Sequence, residues 1–543
     1  MTLTFAHLVI APILLPLATA ALMLPLGEQR RPLKAAIAIV STLATTGIAL
    51  ALLRFADAAA PDGGTSASVY LLANWPAPFG IVLVLDRLSA LMLTLTSIVA
   101  LAALVFSIAR WHSAGLHFHA LLQFLIAGLN GVFLTGDLFN LFVFFEVLLA
   151  ASYGLVLHGS GVLRVKAGLH YIAVNLAASA LFLVGVSLIY SAAGTLNMAD
   201  LAARIPAVPE SERMLIEAGA AILGIAFLVK AGMWPLCFWL PATYSVVAPP
   251  VAAMFSIMTK VGIYVILRLW LLVFGADAGA SASFGDGWLL IGGIATIVFG
   301  SVGVLASQDL ARLASFNVLV SSGTLLAVIA AGSAAITGGA LFYLVSSTLA
   351  ISAFFLLIEL IERGRIAGAD VLAVTAEALG EEEEESEEPV GIAIPATMAI
   401  LGVGFAACAL LLAGLPPLAG FIAKFLMLTA MFQTAGPAAA SPDATVWVLL
   451  AMLMLSGLAV MIAMMRAGIR VFWVPLESTV PTVRVLEMLP IVGLLSLAVA
   501  LTVQAGPVAR YMQATAESLH APQGYVKDVL STPRLERQPE GSP

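Results

Sequence analysis

The chain has 543 residues, of which 61% are hydrophobic and only 10% charged, against about 25% charged in an ordinary soluble protein. No soluble interior can hide that much apolar surface, so the composition excludes a soluble fold and implies an all-α polytopic membrane protein. The formal charge of -7 is concentrated: eight of the 31 acids lie between Glu377 and Glu388, and the near-neutral remainder gives no electrostatic case for nucleic acid.

Apolar runs of about 20 residues, enough to cross roughly 30 Å of hydrocarbon, predict about fourteen transmembrane helices. They fall near 4–26, 33–53, 81–109, 116–135, 138–158, 168–190, 215–247, 250–274, 287–306, 311–331, 336–361, 392–433, 446–472 and 487–505. The first lacks the basic start of a secretory signal and reads as a retained helix. Asp86 and Arg87 open the third from outside and suit a structural or subunit-contact role. Asp137 opens the fifth, where a carboxylate suits the positive dipole end. Glu146 follows, misplaced in Leu141-Phe-Val-Phe-Phe-Glu146-Val-Leu-Leu149.

The seventh and twelfth runs are too long for one passage and carry breakers, Met233-Trp-Pro235 and Gly414-Leu-Pro-Pro-Leu-Ala-Gly420. Pro235 cannot donate to the carbonyl of Ala231, and Pro416 and Pro417 free those of Leu412 and Ala413. Unpaired backbone at membrane depth persists only where protein or water satisfies it. Broken helices at matching places in two halves point to an inverted-repeat core. The expected division is 1–110 for helices 1–3, 116–274 for a first repeat (helices 4–8) and 287–472 for a second (helices 9–13). The second holds an acidic loop, 364–391; helix 14 is 487–505 and a polar tail fills 506–543.

Lys230 and Lys424 lie near the two breaks, and Lys260 about ten residues into the eighth run. A charge at the bilayer centre costs roughly 2.5–3.5 kcal/mol on insertion scales and is tolerated where it faces a polar path. The three lysines with Glu146 therefore imply proton or ion movement. The bland alternatives are a fixed Glu146–Lys230 ion pair and a snorkelling Lys260. Asp309 and Arg312 would cap and orient the tenth helix, while Glu359, Glu362 and Arg363 read as interfacial charges. Glu381 through Glu388 reads as a solvated linker, or more sharply as a cation reservoir. Cys237 and Cys408 read as small buried hydrophobes.

Twelve basic residues fall in odd-to-even loops and three (Arg54, Arg204, Arg213) in even-to-odd ones. The positive-inside rule then puts both termini outside the cytoplasm. There is no phosphate loop, dinucleotide fingerprint, metal-spaced cluster or hydrolase elbow, so no cofactor, metal or enzymatic step is expected.

Several motifs are specific. Thr135-Gly-Asp-Leu-Phe-Asn-Leu-Phe-Val-Phe-Phe-Glu146-Val and Gly168-Leu-His-Tyr-Ile-Ala-Val-Asn-Leu through Gly194-Thr-Leu-Asn-Met-Ala-Asp200-Leu stand in the first half. With them go Phe227-Leu-Val-Lys230-Ala-Gly-Met-Trp-Pro-Leu-Cys-Phe-Trp-Leu-Pro241, Thr259-Lys260-Val-Gly-Ile-Tyr264 and Leu415-Pro-Pro-Leu-Ala-Gly-Phe-Ile-Ala-Lys424. Leu85-Asp-Arg-Leu-Ser-Ala90 fits as well. From about residue 80 to 430 the chain resembles the D subunit of Mrp-type multisubunit cation/proton antiporters, in the wider family of antiporter-like subunits of respiratory complex I.

The resemblance implies a plasma-membrane subunit that works with other membrane subunits and exchanges protons for a monovalent cation, expected to be sodium. It implies that Glu146 pairs with Lys230 in a first half-channel, that Lys260 sits in a central polar axis, and that Lys424 ends a second half-channel. Many relatives place a histidine in the eleventh helix, where this chain reads Val345-Ser346-Ser347-Thr348-Leu349. Water held by Ser346, Ser347 or Thr348 is the expected substitute. The rival reading is a proton-pumping subunit of a complex I-type or hydrogenase-type redox assembly.

Overall fold

The computed structural model describes residues 7–59, 67–363, 396–434, 444–473 and 481–534. The acidic run 381–388, and the loop 364–391 that holds it, lie outside the described residues.

The first half begins with α1 (Ala11–Met23) and α2 (Arg31–Ala58), followed by a two-stranded antiparallel hairpin, β1 (Ser68–Leu71) on β2 (Val82–Leu85), with Ser68 opposite Leu85. Then come α3 (Arg87–Ile108), α4 (Phe118–Leu134), α5 (Leu138–Val156), α6 (Val162–Ala193) and the short α7 (Met198–Arg204). α8 (Glu210–Ala231) and α9 (Trp239–Tyr244) are the arms of the seventh passage, and α10 (Pro249–Val273) is the eighth. The second half runs through α11 (Asp286–Ala306), α12 (Leu310–Ile329), α13 (Ala334–Glu362), the broken pair α14 (Ala396–Ala413) and α15 (Ala419–Thr434), and α16 (Ala444–Phe472). α17 (Val485–Val503), α18 (Ala505–His520) and α19 (Gln523–Ser531) are the last described helices.

Twelve described helices are long and apolar enough to span a membrane, and α1 and α4 are shorter apolar helices. With α8–α9 and α14–α15 each counted as one broken passage, these are the fourteen predicted passages in the predicted order. The helices differ in how much they bury. α13 is buried along its whole apolar window, and α10 and α12 nearly so, whereas α2, α6, α14 and α17 keep most of theirs outside. A helix apolar on every side belongs inside a bundle or in lipid, and here both fates occur in one molecule. The buried trio places the centre of the fold at α10, α12 and α13.

Helix starts follow their caps. Asp137 accepts from Asn140 N at 2.8 Å and Asp309 from Ala311 N at 3.0 Å, as expected for both. Asp86 and Ser89 form a reciprocal capping box on α3. At the end of the bundle that holds Asp309, away from Asp86 and Asp137, arginines answer open carbonyls: Arg164 on Val246, Arg470 on Gln308 and Arg484 on Ala109. Arg363 joins Glu359 at 3.1 Å and Glu487 at 2.7 Å, tying α13 to α17. The interfacial charges are thus helix-to-helix ties. Cys237 and Cys408 are buried and unbridged.

Within the region expected as a polar tail, the described residues form two helices. α18 and α19 carry apolar faces that bury Met512, Ala516, Leu519, Tyr525 and Val529. Tyr511 donates to the carbonyl of Arg87, and the backbone N–H of Ala67 donates to Asp528. His520 is 3.0 Å from Thr337. The tail therefore seals the end of the bundle where α3 and α13 begin.

Candidate functional site

Both breaks close the same way. α8 ends at Gly232, with φ at +72, and the N–H of Met233 reaches back to Leu228 O at 3.0 Å. α14 ends at Gly414, with φ at +73, and the N–H of Leu415 reaches back to Leu410 O at 3.0 Å. Each is a left-handed glycine followed by a six-to-one bond, the closure that satisfies orphan carbonyls at a helix end. Two residues after each closing N–H stands a proline, Pro235 and Pro417, with Pro416 beside the latter, which prevents the helix from continuing. Two further backbone groups at the first break meet side chains: Trp234 N donates to Thr296 Oγ1 at 2.8 Å, and Trp239 Nε1 donates to Val229 O at 3.2 Å.

The carbonyl of Ala413, which Pro417 cannot bond, is taken by Lys424. Its Nζ donates to Ala413 O at 2.9 Å, placing the amine at the negative end of a half-helix. The room is made by glycines. A Cβ on Gly414 would stand 3.0 Å from Lys424 Nζ, and one on Gly457 of α16 would stand 3.0 Å from that nitrogen and 2.7 Å from Ala413 O.

Lys230 is in the last turn of α8, before its break. Its Nζ donates to Asn175 Oδ1 at 2.7 Å and lies 5.8 Å from the centre of the Phe145 ring. Glu146, expected as the partner of Lys230, is not in ion-pair contact with it in this geometry. The two groups are within electrostatic reach, but no contact of 4 Å or less joins them among the described residues. The α6 amide intercepts the amine, and Glu146 Oε1 is buried without a protein partner. Glu146 also acts electrostatically on Tyr153, two turns along α5, whose ring packs on Tyr171. Tyr171 shares a 2.8 Å hydrogen bond with Ser152, and Asn175 sits one turn from Tyr171 on α6.

Lys260 is wholly buried near the middle of α10. Its Nζ donates to Ser321 Oγ on α12 at 2.6 Å, Ser321 donates to Ser347 Oγ on α13 at 3.0 Å, and Ser347 donates to Leu344 O at 3.3 Å. Of the three hydroxyls expected to serve here, Ser347 reaches across to another helix. Ser346 and Thr348 instead bond back to Tyr343 O and Leu344 O on their own helix.

Asp86 and Arg87 stand apart from the lysines. Arg268, two turns beyond Lys260 on the same face of α10 and so about 12 Å along its axis, grips Asp86 through two bonds of 2.5 and 2.7 Å. Burial pushes the Asp86 carboxyl up, and the Arg268 charge more than offsets this, leaving it below the usual carboxylate range. Arg87 is 3.4 Å from the Asp57 carboxylate. Arg268, set in an apolar run, is not marked by the sequence. Neither are Asn175, Ser321, Tyr153 and Gly457. Asn175 lies inside the quoted Gly168–Leu176 motif, four residues from Tyr171, but the sequence gives it no role of its own.

The likenesses to known proteins are consistent with one another. Residues 135–442 match the family described as NADH:quinone oxidoreductase/Mrp antiporter, transmembrane. The chain is 63% identical to a Rhizobium meliloti protein named as the probable D subunit of a K(+)/H(+) antiporter, over 98% of this chain and 99% of that one. It is 33% identical to the D subunit of the Na(+)/H(+) antiporter of Alkalihalophilus pseudofirmus, over 96% and 99%. Among solved structures, a chain of the Mrp complex from Dietzia sp. superposes with a TM-score of 0.81 at 26% identity, covering 98% of this chain and 100% of that one. A chain of respiratory complex I from Thermus thermophilus superposes at 0.71 with 22% identity, over 96% and 100%, and supports the fold alone. With the family match spanning more than half its length and a full-length relative at 63% identity, this chain belongs to the NADH:quinone oxidoreductase/Mrp antiporter family of membrane subunits.

Proposed function

We propose that this chain is the proton-conducting subunit of a multisubunit monovalent cation/proton antiporter, and that protons move along an axis marked by Glu146, Lys230, Lys260 and Lys424. The observation that carries this reading is how the buried charges are partnered. Asp86 and Arg268 are locked in a two-bond ion pair, and so is Arg363 with two glutamates. Removing either member of such a pair strands a charge in low dielectric. The three lysines instead donate to neutral oxygens, on Asn175, Ser321 and Ala413. An amine held by a neutral acceptor can lose its proton without leaving an unpaired carboxylate behind. That is what a conducting group needs and a strut does not.

The two halves are read as inverted repeats, 116–274 and 287–472. Matching neighbours recur: α4 packs on α5 as α11 does on α12, and α8 packs on α10 as α14 does on α16. The shared glycine closure of the two breaks supports the same pairing. The end of the bundle sealed by α18 and α19 is assigned to the outside, because the arginine-rich end is the opposite one. Proton entry would be driven by the membrane potential at about 2.3 kcal/mol per charge per 100 mV.

The cation is read as potassium, because the relative at 63% identity carries potassium in its name. The sodium expected from the sequence is the second reading, favoured by the names of relatives at 33%. The partners are the other membrane subunits of the assembly in the plasma membrane. In everted vesicles holding the whole complex, Lys230→Ala should reduce potassium- or sodium-dependent proton movement to background while the subunits still co-purify. Near-normal exchange would overturn the proton-path assignment.

A further inference from the structure

Between Lys260 and the second half of the bundle the path must cross from α10 to α13, and no side chain that titrates near neutral pH bridges that gap among the described residues. What does bridge it is a directed chain of hydroxyls, Lys260 Nζ to Ser321 Oγ to Ser347 Oγ. Both serines are buried, at 1% and 7% exposure, in the most enclosed part of the molecule. Each donor points away from Lys260, the order a proton wire needs. The Tyr343 hydroxyl also neighbours Ser321. The junction is therefore richer in hydrogen-bonding capacity than packing requires.

We infer that Ser321 and Ser347 are relay residues that carry protons between Lys260 and the second half. This deepens the proposed function and rests on it. The transfer balances as follows: an N–H bond of the Lys260 ammonium breaks and its proton binds Ser321 Oγ. Ser321 releases its own hydroxyl proton to Ser347 Oγ, and Ser347, turning from Leu344 O, releases its own to a water molecule on the far side. Lys260 ends neutral, each serine ends with one proton, and the positive charge rests on the water. The hydroxyls then rotate back before the next passage. Ser346 and Thr348 have no hydrogen bond to Lys260 or Ser321 among the described residues and take no part.

A second hydroxyl pair supplies the control. Ser256 and Ser352 share a 2.7 Å hydrogen bond between α10 and α13, without touching Lys260. In everted vesicles containing the whole complex, Ser321→Ala and Ser347→Ala should each slow exchange by about tenfold. That is less than the 10²–10⁴-fold typical of a positioned proton-transfer group, because water can partly stand in. Ser321→Thr, which keeps the hydroxyl, should restore the rate, and Ser352→Ala should leave it unchanged, with assembly checked by co-purification. If Lys260→Ala is inactive while Ser321→Ala and Ser347→Ala exchange normally, the relay is wrong and the wider reading stands. A loss in Ser321→Ala that threonine does not rescue, or an equal loss in Ser352→Ala, reduces the serines to packing and also overturns the relay. If Lys260→Ala itself exchanges normally, the wider reading falls first.

Discussion

Lys230 and Lys424 stand at equivalent breaks, yet they are held in opposite ways. Lys230 precedes its break and gives its amine to a side chain, Asn175, with a carboxylate within electrostatic reach. Lys424 follows its break and gives its amine to a backbone carbonyl that a proline leaves open, in a nook cleared by two glycines. The first amine can be retuned by rearranging side chains of α5 and α6. The second is bound to a group no substitution can delete, so only the surrounding space can be changed. The difference suggests a division of labour: an adjustable first site and a second site set by helix geometry.

The largest expected effect tests whether both sites matter at all. Lys230→Ala and Lys424→Ala should each bring exchange to background in assembled complexes. If only one does, the two breaks are not functional counterparts and the comparison is broken. Next comes the contrast with a locked charge. Arg268→Ala leaves Asp86 buried and unpaired, which should cost about 3–5 kcal/mol. The loss should appear as less folded subunit in the membrane and a lower thermal midpoint. Exchange per assembled complex should fall much less than with either lysine variant. Equal loss per complex would place Arg268 on the path.

How much of this is legible in the sequence follows from the physics of each feature. Passage count, breaks and caps are local: they depend on run length, on proline's missing N–H and on an acid before a helix start. All of these can be read directly, down to the freed Ala413 carbonyl. The partners cannot, because which oxygen meets an amine depends on helix rotation and spacing. Glu146 looks like the partner of Lys230 since opposite charges attract, but the hydrogen bond of the amine goes to a neutral amide on α6. Arg268 is hidden because its acid, Asp86, lies 182 positions away. The α18–α19 cap is missed because its apolar face is spread at helical spacing through a polar segment, which composition alone averages out.

A smaller effect sharpens the first site. Asn175→Ala removes the acceptor of a charged hydrogen bond, an interaction of about 1.5–3 kcal/mol. Exchange should fall by roughly tenfold, each 1.4 kcal/mol being one factor of ten. Asn175→Asp would bring a carboxylate into the same position and convert the neutral partnership into a fixed ion pair. It too should slow exchange, although the hydrogen bond survives. Normal exchange in Asn175→Asp would show that a neutral partner is not what the first lysine needs.

The smallest effect probes the second site by its space. A methyl group on Gly457 would press to 2.7 Å on the Ala413 oxygen and 3.0 Å on Lys424 Nζ. The oxygen is backbone at a pinned helix end, so the flexible lysine or the α14–α16 spacing must yield. Overpacking of this kind costs about 1–3 kcal/mol. Gly457→Ala should therefore slow exchange severalfold and lower the thermal midpoint of the purified complex modestly. Combining it with Asn175→Ala tests whether the two nooks are independent, since substitutions at separate sites add in free energy. Additive losses would mean that each amine is tuned by its own surroundings. A loss in the double variant no larger than in the worse single one would mean that both lysines report on one shared rate-limiting step, with α10, α12 and α13 as the packed link between them.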